Sequence, residues 1–316
     1  MTSGKHTHGP PVLVVYKKSN LDLYVREKKN ARYAQLLEEG AEVVSQMEGA
    51  HATHGAALEA VMAALAERNI KHRAVYRGRL RSESTKGHLV VTVGGDGTLL
   101  DASRKVNGAV VLGVNSDPRR SVGFLCAATS ASFGDVLDAV RREEVPPTPV
   151  ARLSLALDGE PIGHPVLNDV LVADRNPAAT ARYVIERAGV RESHKSSGIW
   201  IAAPAGSTAA TLSAGGEVQS LDDGRMQVRI REPFLLDEQP PTLRSAWVSQ
   251  GEPPLSIVSK MREGRLFLDG AHHRLQFPVG TTLTIGPSAS PLQLIVTDAM
   301  RTRREELAAS TAAARR

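Results

Sequence analysis

Cysteine is nearly absent from this chain of 316 residues: Cys126 stands alone. That excludes an internal disulfide framework and a zinc cluster built on thiolates, and it fits a reducing compartment. Aromatic residues make up only 4%, and none form a stripe among the basic side chains, so a base-stacking platform for nucleic acid is not expected. No apolar run approaches the roughly 20 residues a membrane helix needs. The stretch ahead of Pro10-Pro11 lacks an apolar leader, so the expectation is a cytoplasmic protein with no membrane or nucleic-acid partner. Charge is only mildly one-sided, 39 Lys+Arg against 34 Asp+Glu for a net +5, which suits anionic small molecules without demanding nucleic acid. What is present is 41% hydrophobic and 23% charged residues: an ordered chain long enough to bury a core, in one large or two ordinary domains.

The first half alternates strand and helix patterns. Val12–Tyr16, Leu89–Val93 and Ala109–Val114 read as buried strands, with Arg73–Tyr76 as a further candidate. Helical periodicity covers Ala31–Gln46, Thr53–Arg68, Gly97–Val106 and Ser132–Arg141. Such alternation predicts a Rossmann-like parallel sheet covered by helices. After the proline cluster Val145–Pro149 the pattern becomes short alternating runs: Leu153–Leu157 turning at Asp158-Gly159, Met226–Ile230, Arg274–Phe277, Thr282–Ile285 and Gln293–Val296. A hairpin is expected between Ser256–Met261 and Leu266–Leu268 across Arg262–Arg265. The fold class is therefore an α/β N-terminal domain (1–147) plus an all-β C-terminal domain (148–296), a sandwich or stacked sheets, ending in a helical segment (297–316).

The strongest chemical signal is Gly94-Gly95-Asp96-Gly97-Thr98, directly after a buried strand and before a helix. Glycines let a phosphate approach the backbone without meeting a Cβ, and a starting helix offers free N–H groups. Asp96 is out of place in a plain phosphate cradle, because a carboxylate repels phosphate. It makes sense as the acceptor of a hydroxyl proton, as an orienting group, or as a magnesium ligand. In isolation the simpler reading is a strand-to-helix turn capped by Asp. Two further segments tip the balance. Ala203–Ala210 places small residues and two hydroxyls after an apolar strand, as a wall for a flat ring or ribose. Asn168-Asp169 interrupts the apolar run Val166–Val172 with two polar groups.

Taken together, these segments resemble the NAD kinase family. Its members carry GGDGT, then an Asn-acidic pair, then a (T/A)xGSTA(Y/A) segment, in this order and at comparable distances. The likeness extends through Gly113–Pro118, Ser121–Cys126 and Leu268–Gly270, and so covers 12–296. In motif detail it is similar to the plant peroxisomal-type NADH kinases and, more loosely, to the mitochondrial NAD kinase branch of animals. The resemblance implies transfer of the γ-phosphoryl group of ATP, with Mg2+, to the 2′-hydroxyl of the adenosine ribose of NAD+ or NADH. It implies Asp96 as proton acceptor and Gly97 against the dinucleotide. Asn168 and Asp169 match the ribose-binding pair. Thr208, Ala209, Ala210, Thr211, Leu212 and Ser213 match the lining of the adenine and ribose pocket, and Gly94, Gly95 and Thr98 would hold the donor phosphates. A homodimer or homotetramer is implied, as is return of the C-terminal helix to the first domain.

Three departures stand out: Asp169 where many members carry Glu, Ser197 where an acidic residue commonly precedes Gly198, and Ala210 where Tyr is frequent. The Ser197 change removes a charge from the pocket, and the preference between NAD+ and the neutral reduced ring of NADH is left open. Lipid kinases of the diacylglycerol or sphingosine type share GGDGT, but they usually carry Glu where Asp101 stands and lack the Ala205–Ala210 segment. A non-catalytic NAD(H)-binding sensor is the third reading. No metal ligand is assigned: His51 and His54, at helical spacing, read as a solvated helix start, and Lys5–His8 as a disordered terminus. Arg119-Arg120 and the group Arg79, Arg81 and Lys86 read as surface charge as readily as phosphate ligands.

Overall fold

The computed structural model describes residues 9–234 and 242–315; Lys5–His8 lie outside them. The chain divides into two compact units, Met1–Pro147 with Gln293–Met300, and Thr148–Leu292 with Arg301–Arg316.

The first unit is built on a parallel sheet in the order His72–Tyr76, Val12–Tyr16, Leu89–Gly94, Val110–Asn115, Leu292–Ile295, with the short Ala128–Thr129 also on Val110–Asn115. Val12–Val15 and all of Leu89–Gly94 are buried, as continuous β-branched runs require when both sheet faces are covered. The helix Met47–Glu67 buries Val61 and Leu65 in the same core as Phe133 and Leu137 of Phe133–Arg141. Arg68 joins these helices through two 2.8 Å bonds to the Asp138 carboxylate. That guanidinium holds Asp138 below its ordinary range.

The helix expected over Ala31–Gln46 is broken. It ends at Glu38, a single 3-10 turn covers Glu42–Val44, and the next helix already begins at Met47. Gly40 sits at φ +65, where a left-handed residue terminates a helix. A π-helical turn, Leu21–Glu27, carries no sequence signal.

The second unit is two six-stranded antiparallel sheets. One runs Val190–Ser196, Ala181–Arg187, Leu255–Ser259, Thr282–Pro287, Leu153–Leu157, Glu160–Pro161. The other runs Ser245–Val248, Met226–Ile230, Ile199–Ala202, Asp169–Asp174, Gly264–Leu268, His273–Gln276. Their inward residues, among them Tyr183, Ile201, Ile257 and Leu283, form one core cluster. The Asp158-Gly159 turn forms with both residues at positive φ, as two-residue hairpins favour.

The hairpin expected across Arg262–Arg265 does not form. Leu255–Ser259 and Gly264–Leu268 lie in different sheets. Ser259 Oγ donates to Phe277 O and accepts from Met261 N, and buried Met261 carries the chain across the core. Leu292–Ile295 does not continue the antiparallel pattern either: it pairs parallel with Val110–Asn115 in the first unit, Gln293 opposite Val110. The final helix, Asp298–Ala314, has its first residues in the first unit and 301–314 in the second.

Candidate active site

In the first unit, Leu89–Gly94 delivers Gly94–Thr98 to the carboxyl edge of the sheet, where the helix Asp96–Ser103 begins. This edge is where open parallel sheets place their ligands. The three glycines do different jobs. A Cβ on Gly94 would lie 2.1 Å from Thr98 Oγ1, so Gly94 is there to let the threonine hydroxyl fold back. One on Gly95 would lie 3.0 Å from Ser121 Oγ. One on Gly97 would meet nothing within 4 Å, although glycine inside a helix costs roughly 0.5–1 kcal/mol. Packing does not demand Gly97. Thr98 Oγ1 is buried without a hydrogen-bond partner among the described residues.

Asp96 has an anchorage that the motif does not foretell. Its Oδ2 accepts from Phe124 N at 2.9 Å and its Oδ1 from Leu125 N at 2.8 Å. The loop supplying these amides is shaped by Asn115, which donates to Ser121 O at 2.7 Å and accepts from Asp117 N. Gly123 sits at φ +66, and a Cβ there would come 2.6 Å from Asn115 Nδ2. The segments Gly113–Pro118 and Ser121–Cys126 thus hold the carboxylate in one orientation. Cys126 is buried, as its apolar setting suggests.

Around this carboxylate lies a cavity of about 590 Å³, bounded by first-unit residues that include Lys17, Arg77 and Gly95–Thr98. Burial, followed by the Arg77 charge, pushes Lys17 below the usual lysine range, with Asp117 acting in the opposite sense. Arg77 pairs with Asp101 at 3.0 Å, and Asp101 also binds Arg104 at 2.9 Å. The residue at the lipid-kinase glutamate position is therefore occupied by two arginines.

The histidines are neither a metal pair nor a solvated start. His54 is buried, with Nδ1 3.0 Å from Ser116 Oγ and Nε2 2.8 Å from Lys17 O, and burial lowers its pKa. His51 contacts Ser19 and Asp22. Arg120 is engaged by Asp117 at 2.7 Å. No group of three or more His, Cys, Asp or Glu among the described residues could hold a metal ion by itself.

In the second unit, three separated motifs converge. Asn168 N donates to Asp269 Oδ1 at 2.6 Å, and Asp269 N to Asp169 O at 2.9 Å. Ala203 N donates to Asn168 O at 2.8 Å. A Cβ on Gly206 would lie 2.2 Å from that same carbonyl, so only glycine lets the Pro204–Thr208 turn pack there. Asn168 Oδ1 is buried with no partner among the described residues, as is Thr211 Oγ1. Burial, then the Asp269 charge, pushes Asp169 up to about 7. Thr208, Ala209 and Leu212 are half-buried, and Ala210 and Ser213 are exposed. Ser197 Oγ donates to a Glu232 carboxylate oxygen.

Arg304 was invisible to motif reading. It is buried on the final helix, with Nε donating to Gln219 O at 3.0 Å and a terminal nitrogen to Pro204 O and to Ser207 Oγ at 2.8 Å. It clamps the turn that precedes Thr208–Ser213. Arg304→Met would strand these acceptors, at a cost of about 1–3 kcal/mol for each charged bond lost. The expected result by scanning calorimetry is a melting temperature lowered by several degrees; an unchanged value would contradict the clamp.

A glycine-flanked carboxylate at a helix head, beside a cationic cavity, defines a phosphoryl-transfer class of site. Residues 12–145 match the model of the ATP-NAD kinase N-terminal domain. The chain is 40% identical over 230 residues to a probable NADH kinase of Oryza sativa subsp. japonica, covering 66% of this chain and 70% of that protein. Its fold is similar to a crystal structure of an NAD kinase from Archaeoglobus fulgidus in complex with ATP: TM-score 0.64, 20% identity, 92% of this chain and 96% of that one. A yeast NADH kinase complexed with NADH gives TM-score 0.64 at 18% identity, covering 96% and 91%. The chain belongs to the NAD kinase family.

Proposed function

We propose that this protein is an NAD(H) kinase that transfers the γ-phosphoryl group of ATP to the 2′-hydroxyl of the adenosine ribose of NAD+ or NADH. The observation that carries the reading is Asp96, flanked by glycines at a helix head and fixed by the amides of Phe124 and Leu125. Family membership and the NADH kinase relative support it. In the loose transition state of phosphoryl transfer the protein mainly positions and neutralises. Asp96 orients the 2′-hydroxyl and takes its proton late, as the 2′-oxygen bonds to the γ-phosphorus and the bond to the ADP oxygen breaks.

Gly94, Gly95 and Thr98 are proposed to shape the donor phosphate site, and Gly97 to admit the dinucleotide. Asn168 and Asp169 are proposed to take the ribose hydroxyls. Thr208, Ala209, Ala210, Thr211, Leu212 and Ser213 would form the adenine and ribose wall. The unpartnered Asn168 Oδ1 and Thr211 Oγ1 support binding on that side. Mg2+ is proposed to arrive on the triphosphate, since it typically keeps substrate phosphates and water as ligands; bound there it would neutralise phosphate charge. A cytoplasmic homo-oligomer completes the reading.

Asp101, held by Arg77 and Arg104, disfavours a lipid kinase. No described helix is long and apolar enough to cross a membrane. The position of transfer is tested by phosphorus NMR of the product made from NADH and MgATP. A new 2′-phosphomonoester resonance is expected; a phosphate on any other oxygen would overturn the assignment.

A further inference from the structure

The hydroxyl of Ser207 is fully used inside the protein. It donates to Pro204 O at 2.7 Å and accepts from Gln219 N at 2.9 Å and from Arg304 Nη2 at 2.8 Å. These bonds occupy its donor and both its lone pairs. Ser207 and Arg304 are both buried, and Arg304 Nε closes the ring by donating to Gln219 O at 3.0 Å. Gln219 Oε1 in turn accepts from Gln227 Nε2 at 2.8 Å, and Gln227 stands on the strand Met226–Ile230. One buried network therefore fixes the head of the segment 204–216 to the final helix and to the sheet. The tail of the segment has its own tie. Arg315, directly after that helix, donates from Nη2 to Gly216 O at 2.6 Å and to Leu212 O at 3.3 Å. Positions 304 and 315 are about three helical turns apart, so a single helix grips both ends. Between the two ties, Ala210–Ser213 is a helix of only four residues. So short a helix does not hold its own shape in water; its shape is imposed from outside. Thr208–Ser213, the proposed adenine and ribose wall, is the part held between the ties.

We propose that Arg304, acting through Ser207, and Arg315 are positioning residues for the acceptor, holding 204–216 in the shape that takes the adenosine end of NAD(H) before the ligand arrives. This deepens the kinase reading and rests on it for the identity of the acceptor. A segment ordered beforehand costs no ordering entropy on binding. A loosened one binds only during the fraction of time it spends in the competent shape, and its apparent affinity falls by that fraction. Gly94, Gly95 and Thr98, proposed for the donor phosphates, stand outside this network in the first unit, so affinity for ATP should not change.

The test compares Arg304→Met and Arg315→Ala with a control, Arg301→Met, in the full chain. Arg301 lies on the same helix but pairs with Asp222 at 3.0 Å. NADH dissociation constants are measured calorimetrically, beside the KM values for NADH and for ATP. Arg304→Met is expected to weaken NADH about tenfold and Arg315→Ala about threefold. The KM for NADH should rise in step, the KM for ATP should stay within about twofold, and the control should match the parent. Arg315 is exposed, so its replacement should leave the melting temperature within about 2 °C. Unchanged NADH affinity in Arg315→Ala would overturn the proposal, since a loss confined to the destabilised Arg304→Met is damage to the fold. Equal weakening of ATP, or an equal loss in the control, would overturn it too. If no dinucleotide is phosphorylated but the NADH losses appear, the kinase reading falls and the positioning role stands. Normal turnover without those losses does the reverse.

Discussion

Replacing Asp96 by Asn is expected to lower turnover by on the order of 10²–10⁴, the range that general acid–base groups supply. The structure adds a complication. Both carboxylate oxygens accept from backbone amides, Phe124 N and Leu125 N, and an asparagine must turn its NH2 group toward one of them. That replaces a charge-assisted bond with a donor–donor contact, costing about 1–3 kcal/mol and loosening the 123–126 loop. The two effects separate by parameter. A loss of proton acceptance lowers kcat, whereas a loosened loop also lowers the melting temperature. A kcat drop of tenfold or less, with a lowered melting temperature, would reduce Asp96 to a loop anchor.

The second large effect is on pH dependence, through Asp169. Its folded pKa is raised from 3.8 to about 7, by burial first and by Asp269 second. Between those values the folded chain keeps a proton that the unfolded chain has lost. Stability from this group is therefore complete below about 4, falls as pH rises toward about 7, and is flat above. Asp169→Asn should abolish that decline and gain on the order of a few kcal/mol at pH 8 in chemical denaturation. The same variant should weaken dinucleotide binding, and in the parent chain the kcat/KM profile for NADH should carry an ionisation near 7. A denaturation midpoint for the variant that tracks the parent at every pH would contradict the buried, protonated Asp169.

Much of the site is legible in the sequence because it depends on residue types with few other uses. Gly94–Thr98 needs glycines at fixed places, and the alternation of buried strands and helices around it announces a parallel sheet. What escaped has a common cause: its partners are backbone groups or lie far along the chain. The amides of Phe124 and Leu125 that hold Asp96 could come from almost any residue pair. Arg304 reaches Ser207 across 97 positions, and Asp269 reaches Asn168 across 101. Neither distance leaves a local pattern. The same limit explains the mistaken hairpin. Arg262–Arg265 has good turn residues, but Met261 is drawn into the core and sends the two strands to opposite sheets. Glu232, the partner of the Ser197 hydroxyl, lies 35 positions further on and leaves no local pattern either.

The measurement that bears most directly on the account is a coupled assay for NADP+ and NADPH, with MgATP and NAD+, NADH or diacylglycerol offered in parallel. Phosphorylation of the dinucleotides and not of the lipid is the predicted result. Lipid phosphorylation, or tight NADH binding with no turnover of either dinucleotide, would contradict it.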